Sequence, residues 1–131
     1  MSGKFPFGVY DSEAMYILLL AADRDPDIAG FVYPEDTTRH RLPIFDSGKL
    51  VGFATPRQDT DEIWRMGAIY VVPEYRARGL ARREISEFMR DKRGRAFIED
   101  GNQRSQGAYA AAGFKKVLRD AAAGGCWWEN F

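Results

Sequence analysis

The first regular signal along the chain is an amphipathic helix that begins at Glu13. Its apolar residues recur three and four positions apart, the spacing of one helix face; they are Met15, Leu18, Leu19 and Ala22. Asp11 or Ser12 can cap the first turn, because a short side-chain oxygen accepts a hydrogen bond from an unpaired amide. Pro26 opposes continuation of this helix, and a second, shorter helix is predicted over residues 27–31.

Strands follow these helices. Residues 42–45 and 50–55 are short and mostly apolar, as strands between turns usually are. The Asp-Ser-Gly step at residues 46–48 predicts a hairpin turn between them, because glycine adopts positive φ without strain. After a polar loop at residues 57–61, residues 63–72 are predicted to form one long strand.

Helices and strands alternate in the second half. The helix after the long strand is amphipathic, and its apolar half is formed by Leu80, Ala81, Ile85, Phe88 and Met89. Gly94 ends this helix, and Gly113 stands where a left-handed C-cap is needed. The remaining predicted elements are a strand at residues 96–98, a helix at 105–112 and closing strands at 114–118 and 126–131. This order favours a single domain over residues 1–131, of α/β or α+β class, with antiparallel strands early and a parallel pair later.

Composition excludes several classes of protein. A length of 131 residues with 45% hydrophobic and 29% charged residues is typical of one globular domain. The longest apolar run covers nine residues, 14–22, whereas a membrane span needs about 20, and the N-terminus lacks the layout of a signal peptide. A lone cysteine, Cys126, suits a reducing compartment. We therefore expect a cytoplasmic protein with no membrane partner and, since His40 is its one histidine, no metal site.

The net charge of zero conceals two halves of opposite sign. Residues 1–75 contain 7 basic and 12 acidic residues, a net charge of −5, and residues 76–131 contain 12 and 7, a net charge of +5. The basic half is suited to an anionic ligand and the acidic half to a cationic one. The alternative is that solvated helix faces are sorted this way by chance.

Residues 71–82 carry the clearest chemistry, because a strand ends there, a loop with arginine and glycine follows, and a helix begins at once. Amides at a helix start are unsatisfied and partly positive, which suits a phosphate or pyrophosphate. Gly79 has no Cβ and lets the backbone approach such a ligand, while Arg76, Arg78 and Arg82 add positive charge. The alternative is an ordinary loop with a solvated face.

Two motifs make the chain resemble the GCN5-related N-acetyltransferase (GNAT) family. The pyrophosphate loop of that family reads R/Q-x-x-G-x-G/A, and it is matched by Arg76, Gly79 and Ala81. A second motif reads N-x-x-(A/S)-x-x-x-Y-x-x-x-G-F, and it is matched by Asn102, Ser105, Tyr109, Gly113 and Phe114. Both motifs in this order are a specific signal. The match is good over residues 63–114, whereas the first third fits only in outline and the closing hairpin is shorter than usual.

The resemblance implies a mixed, mostly antiparallel sheet of about six strands, flanked by helices, with a splayed parallel pair that holds acetyl-coenzyme A. Backbone groups of Ile69, Tyr70 and Val71 would pair with the pantetheine arm and polarise the thioester carbonyl. The pyrophosphate would be held by Arg76, Ala77, Arg78, Gly79, Leu80, Ala81 and Arg82. Asn102 would bind the cofactor near the second strand of the pair.

The same resemblance implies catalytic roles. Tyr109 would stand beside the thioester sulfur as general acid and protonate the leaving thiolate; the alternative is a core aromatic on an alanine-rich helix. Direct transfer needs a neutral amine, so a base has to remove a proton from the ammonium form. Glu99, at the end of a short strand, is the predicted base, with Glu62 or a water chain as alternatives. His40 lies in a polar loop and is interpreted as a surface residue.

The predicted function is that of an acyltransferase that moves an acetyl group from acetyl-CoA directly to a primary amine of a small molecule, peptide or protein. One alternative is a non-catalytic module of the same fold that binds coenzyme A or acts through contacts. Another is acetylation of an amine carried on a nucleic acid, such as an aminoacyl-tRNA or a modified base, although a pI of 6.6 argues against nucleic acid as a general partner. Trp127 and Trp128 are interpreted as packing, but paired tryptophans can also cover a partner surface, which leaves a homodimer open. Cys126 is interpreted as packing because no basic neighbour supports a thiolate.

Overall fold

The computed structural model describes residues 13–36, 38–59 and 61–131, so the cap predicted at Asp11 or Ser12 lies outside the described residues. Within these ranges the helices are α1 (Glu13–Ala22), α2 (Leu80–Met89) and α3 (Gln103–Ala111). The strands are β1 (Leu42–Asp46), β2 (Lys49–Ala54), β3 (Arg57–Gln58), β4 (Trp64–Arg65), β5 (Ile69–Val71), β6 (Arg95–Glu99), β7 (Lys115–Asp120) and β8 (Gly125–Glu129). None of these three helices is long and apolar enough to span a membrane.

The chain divides into two compact units. One contains Met1–Arg57 and Met66–Leu80, and the other contains Gln58–Arg65 and Ala81–Phe131. Both combine helices with antiparallel strands, which confirms the predicted mixed class. The described residues form eight strands rather than about six, because two of them, β3 and β4, are short pieces on either side of a turn.

In the first unit, α1 packs against a three-stranded antiparallel sheet with the strand order β1-β2-β5. The helix face predicted from the sequence is confirmed, because its four apolar residues are buried: Met15, Leu18, Leu19 and Ala22. They join Val32, Phe53 and Tyr70 in one apolar cluster. The core of this unit therefore lies directly behind β5, the strand that leads to the arginine- and glycine-bearing loop.

The chain after α1 does not form the helix predicted over residues 27–31. It makes successive turns instead, in which the amides of Ile28 and Ala29 both donate to the carbonyl oxygen of Asp25, at 3.1 and 2.8 Å. The Asp25 carboxylate also accepts a hydrogen bond from the amide of Asp27 at 3.0 Å. Aspartate that bonds the amide two residues ahead favours a turn over a helix, which explains why the prediction was wrong.

The hairpin predicted at residues 46–48 is confirmed. β1 and β2 pair antiparallel, with Asp46 opposite Lys49. Ser47 and Gly48 have φ values of 51° and 81°. Positive φ at both central positions is typical of the tight turn whose twist matches that of the flanking strands.

The long strand predicted over residues 63–72 is interrupted. Gly67 has a φ of 67°, and a Cβ at this position would collide with the side chain and carbonyl oxygen of Thr55. The amide of Thr55 donates to the carbonyl oxygens of Met66 and Ala68, at 3.0 and 3.1 Å, on either side of the glycine. The strand therefore stops after Arg65, bulges around Gly67 and resumes as β5.

One buried cation organises the loop before β1. Arg41 is only 2% exposed, and its Nη2 donates to the carbonyl oxygens of Val32, Tyr33 and Asp36 at 3.3, 3.0 and 3.3 Å. Burial lowers the pKa of its guanidinium. The sequence predicted only a polar loop here. His40 in this loop is partly exposed with a buried Nδ1, which modifies its interpretation as a surface residue.

The second unit contains an antiparallel sheet with the order β6-β8-β7. The body of α2 buries the predicted apolar residues Ile85, Phe88 and Met89. The helix ends at Met89 rather than at Gly94, and Gly94 is needed for packing instead: a Cβ there would lie 2.7 Å from the Phe114 ring. One parallel bridge joins Trp64 in β4 to Gly94 just before β6, which is a parallel pairing of the predicted kind.

Candidate functional site

The loop between β5 and α2 has a backbone shaped for an anion. A single 3₁₀ turn at Pro73–Tyr75 leads into it. Ala77 and Gly79 then have positive φ, at 63° and 76°, and α2 begins at the next residue. Left-handed residues that alternate with residues of negative φ turn amides towards one side, an arrangement that binds anions. The first turn of α2 contains Arg82 and Arg83 and no acidic residue, which also favours a phosphate there.

Two loop arginines have carboxylate partners within the first unit. Arg76 donates from Nη2 to Asp25 Oδ2 at 3.2 Å and from Nε to the carbonyl oxygen of Val71 at 2.7 Å. Arg78 donates from Nη1 to Asp46 Oδ2 at 3.3 Å, with its side chain 55% exposed. An exposed pair contributes about 0–1 kcal/mol. Arg78 can therefore exchange its carboxylate for a phosphate more easily than Arg76 can.

A tyrosine at the start of the loop has two cations near its ring. The guanidinium carbon of Arg78 is 4.7 Å from the centre of the Tyr75 ring, and Lys49 Nζ is 5.3 Å from it. Sequence reasoning missed Lys49, Asp25 and Asp46 as partners of the loop. No local signal could have found them, since Asp25 and Arg76 are separated by 51 positions.

Strand β5 carries the three residues predicted to meet the pantetheine arm. Tyr70 and Val71 are buried, and Ile69 is partly exposed. β5 pairs with β2 along one edge and is the outer strand of its sheet. The outer edge of a strand can accept an extended ligand as if it were a further strand, so this position fits the predicted role.

Every matched residue of the second motif helps to build the two ends of α3. Asn102 is the N-cap, and its side-chain oxygen accepts a hydrogen bond from the amide of Ser105 at 3.2 Å. At the other end, Phe114 donates from its amide to the carbonyl oxygen of Tyr109 at 3.0 Å, and Gly113, with a φ of 94°, donates to that of Ala110 at 3.1 Å. These paired bonds around a left-handed glycine are a Schellman C-cap. The spacing of the motif therefore has a structural cause of its own.

Tyr109 is a buried residue on α3. Its side chain is 4% exposed and packs edge to face on Phe114. Burial raises the pKa of its phenol well above the ordinary value, and the positive charge of Arg65 offsets part of this rise. The phenol therefore stays protonated to a higher pH than that of an exposed tyrosine, and it is a weaker acid.

The candidate bases occupy different settings. Glu99 is the exposed last residue of β6, and its carbonyl oxygen accepts hydrogen bonds from the amide of Asn102 at 3.0 Å and from Gln106 Nε2 at 3.2 Å. Its main chain is thus fixed by the start of α3, while its carboxylate faces solvent. Glu62 is exposed in a turn, with a φ of 65°.

Cys126 has a basic neighbour that the sequence did not reveal. Arg119 Nη1 lies 4.0 Å from its Sγ, which corrects the interpretation that no basic group is near this thiol. Trp127 packs edge to face on Phe97 and Trp128 is buried, in keeping with a packing role. In the part of the chain that the structure describes, no three His, Cys, Asp or Glu side chains gather as they would around a metal ion.

The sequence matches the model of the acetyltransferase (GNAT) family over residues 5–114. This match covers most of the chain and runs through both units, and the protein therefore belongs to the GNAT family of acetyltransferases, as its motifs indicated. No curated protein sequence matches the chain.

Solved structures of the family share the fold. A GNAT-family acetyltransferase from Bacillus cereus is 17% identical, with 88% of each chain covered and a TM-score of 0.64. The catalytic domain of the Tetrahymena GCN5 histone acetyltransferase, in complex with coenzyme A, is 18% identical, with 90% of this chain and 85% of that chain covered and a TM-score of 0.58. An aminoglycoside acetyltransferase in complex with coenzyme A and kanamycin is 14% identical, with 65% and 61% covered and a TM-score of 0.53, so this chain spans less than two thirds of that enzyme.

Proposed function

We propose that the protein is an N-acetyltransferase that transfers the acetyl group of acetyl-CoA directly to a primary amine of a small molecule, peptide or protein. The observation that carries this proposal is the geometry of the loop before α2. Ala77 and Gly79 are left-handed, and the first turn of α2 contains no acidic residue, which together suit a pyrophosphate. Because the family match runs through both units, we treat residues 1–131 as one acetyltransferase domain. Its lone cysteine suits the reducing cytoplasm.

Residues of the loop and of β5 fit coenzyme A in different ways. We expect main-chain amides of residues 76–82 to hold the pyrophosphate, with the exposed side chains of Arg78 and Arg82 adding charge. The outer edge of β5 is suited to the amide-bearing pantetheine arm. Asn102 already accepts a hydrogen bond through its side-chain oxygen, so we expect it to contact the cofactor through its amide nitrogen.

When bound, acetyl-CoA supplies the acetyl group as a thioester. We expect Glu99 to accept first, through water, the proton that the ammonium form must lose before its nitrogen can attack. The exposed carboxylate of Glu99 is suited to pass that proton on to solvent. As that nitrogen bonds to the carbonyl carbon and the carbon–sulfur bond breaks, Tyr109 gives its hydroxyl proton to the sulfur and regains a proton from the nitrogen of the new amide. The net products are an amide, coenzyme A thiol and one proton.

We expect the acceptor to be an amine, and a cationic one if the acidic half of the chain attracts it. Support comes from the ligand of one structural neighbour, an aminoglycoside acetyltransferase bound to kanamycin. That neighbour shares the fold at 14% identity, so it supports the class of acceptor and not its identity.

Calorimetry with coenzyme A tests the binding site. The activity is tested by measuring thiol release from acetyl-CoA in the presence of polyamines, antibiotics, peptides and aminoacyl-tRNA. Gly79→Glu places a side chain and a carboxylate in the loop, at a residue whose φ is 76°. We expect at least about tenfold weaker binding, or about 1.4 kcal/mol. Equal affinity of the two proteins would place coenzyme A elsewhere.

A second candidate is a module that binds coenzyme A without catalysis. The edge-to-face packing of Tyr109 on Phe114 favours it, because a core aromatic would make the same contact. Coenzyme A binding without turnover of any amine would select this function over the enzyme.

A further inference from the structure

The side chain of Arg76 is anchored to the protein on several sides. Its Nε donates to the carbonyl oxygen of Val71 at 2.7 Å, and its Nη2 donates to Asp25 Oδ2 at 3.2 Å. Its guanidinium carbon lies 5.5 Å from the centre of the Tyr70 ring. These contacts tie the first residue of the loop to the end of β5 and to the turn after α1. The guanidinium is therefore used to fix the position of the chain at Arg76.

Asp25 is itself held firmly enough to serve as an anchor. Its Oδ1 accepts a hydrogen bond from the amide of Asp27 at 3.0 Å, while Oδ2 accepts the one from Arg76. Its carbonyl oxygen accepts from the amides of Ile28 and Ala29. The side chain of Asp25 is 15% exposed, against 27% for Arg76. The pair is thus less accessible to water than a typical surface ion pair, and salt screens it less.

The residue after this anchor is in an unfavourable conformation. Ala77 has a φ of 63°, and the left-handed region disfavours residues that carry a Cβ. Such a conformation persists only where its surroundings determine it. Arg76 is the nearest fixed point on the preceding side, and the left-handed Gly79 follows two residues later. The shape of the amide-lined turn therefore depends on where Arg76 is held.

We propose that Asp25 is a positioning residue for the coenzyme A loop: acting through Arg76, it holds residues 76–79 in the shape that receives the pyrophosphate. This inference rests on the proposed function, since it assumes that coenzyme A binds at this loop. Asp25 makes no contact with the ligand in this role. Its effect is confined to binding of the pyrophosphate of coenzyme A.

The direction in which Asp25→Asn changes the affinity for coenzyme A distinguishes this positioning role from a purely electrostatic effect. Coenzyme A is an anion, so removal of a nearby negative charge by Asp25→Asn would by itself strengthen binding. Positioning predicts the opposite, about fivefold weaker binding of coenzyme A in calorimetry. Asp23→Asn is the matched control, because it removes the same charge from the same turn and keeps a side-chain oxygen for the amide of Gly30. We expect wild-type or slightly tighter affinity for that variant.

A truncated donor provides a second measurement. S-Acetylpantetheine has the thioester and the pantetheine arm but no pyrophosphate. Asp25→Asn should lower kcat/KM for acetyl-CoA about fivefold and leave kcat/KM for S-acetylpantetheine unchanged, whereas general loss of structure lowers both. If Asp25→Asn does not fold, Asp25→Glu takes its place, because it keeps the charge but moves the carboxylate by one methylene, and it should show the same pattern.

The outcomes are distinguishable. If Asp25→Asn binds coenzyme A as tightly as Asp23→Asn does, the inference is overturned and the proposed function is left intact. Equal losses with both donors also overturn it. A wild-type protein that does not bind coenzyme A overturns the proposed function and this inference with it.

Discussion

The rings of Tyr109 and Phe114 pack edge to face, with their centroids 5.0 Å apart and their planes at 80°. The same two residues are joined by the main-chain hydrogen bond that closes the C-cap of α3. The Tyr109 ring is thus held by the helix end that it helps to form. Its hydroxyl is the one part of the side chain that this packing does not require, which makes it possible to test catalysis and packing separately.

Tyr109→Phe removes the hydroxyl and keeps the ring. If Tyr109 is the general acid, we expect kcat to fall about tenfold or more, with little change in the dissociation constant of coenzyme A or in Tm. We expect a decrease in kcat near about tenfold rather than a much larger one, because a thiolate is a fairly good leaving group. Steady-state kinetics and calorimetry on the same preparation check this. Nearly full activity in the variant would leave Tyr109 with a core role alone.

Because the Tyr109 phenol is buried, the free energy of unfolding should depend on pH in the alkaline range. Burial raises the pKa of folded Tyr109 above the 10.0 expected when unfolded. The neutral phenol therefore contributes its full stability below pH 10, and this contribution is lost as the pH rises above 10. Between the two pKa values the wild type should lose about 1.4 kcal/mol per pH unit relative to Tyr109→Phe. Urea midpoints at pH 9 and pH 11 measure this difference, and parallel pH profiles for the two proteins would contradict it.

Two glycines of α3 and its C-cap should respond to alanine with opposite signs. Gly107 lies inside the helix, and a Cβ added there would meet nothing within 4 Å, so Gly107→Ala should raise the free energy of unfolding by about 0.5–1 kcal/mol. Gly113 has equal space but a φ of 94°, so Gly113→Ala should lower it by about 1–2 kcal/mol. Denaturant titration of both variants checks the pair. Stabilisation by both substitutions would show that the C-cap adapts to a Cβ.

A cationic acceptor should make the reaction sensitive to salt. The acidic half of the chain can attract such an acceptor over a Debye length that falls from about 10 Å at 0.1 M salt to about 3 Å at 1 M. We expect the rate at subsaturating acceptor to drop as salt rises, after correction for binding of coenzyme A. A neutral amine of similar size is the control, since its rate should change little. A flat profile, or a preference for acidic acceptors, would count against steering.

Elements encoded by neighbouring residues were predictable. The apolar face of α1 and the β1–β2 turn follow from residues within a few positions of one another, and both are confirmed. The break in the long strand was not predictable, because it depends on Thr55 meeting Gly67 across the sheet. The burial of Arg41 was missed for a similar reason, since its partners are carbonyl oxygens, which every residue has.

The same limit applies to the candidate site. Its loop could be recognised because Arg76, Gly79 and Ala81 lie close together in the sequence. Asp25 and Asp46, which pair with two of the loop arginines, come from distant segments, and their contacts exist only after folding. The role of Tyr109 stays a prediction, because its contact with Phe114 at the capped helix end is one that any apolar residue at this spacing could make.

The hydrogen bonds that Arg41 donates to three carbonyl oxygens have a practical consequence for protein engineering. These hydrogen bonds go to main-chain oxygens, so they do not depend on the exposed side chains of the loop. The exposed side chains of Phe31 and Glu35 can therefore be randomised in a directed-evolution library, whereas Tyr33, with a φ of 52°, is best kept. Such a library would test whether this loop contributes to the choice of amine, provided that Arg41 is left untouched.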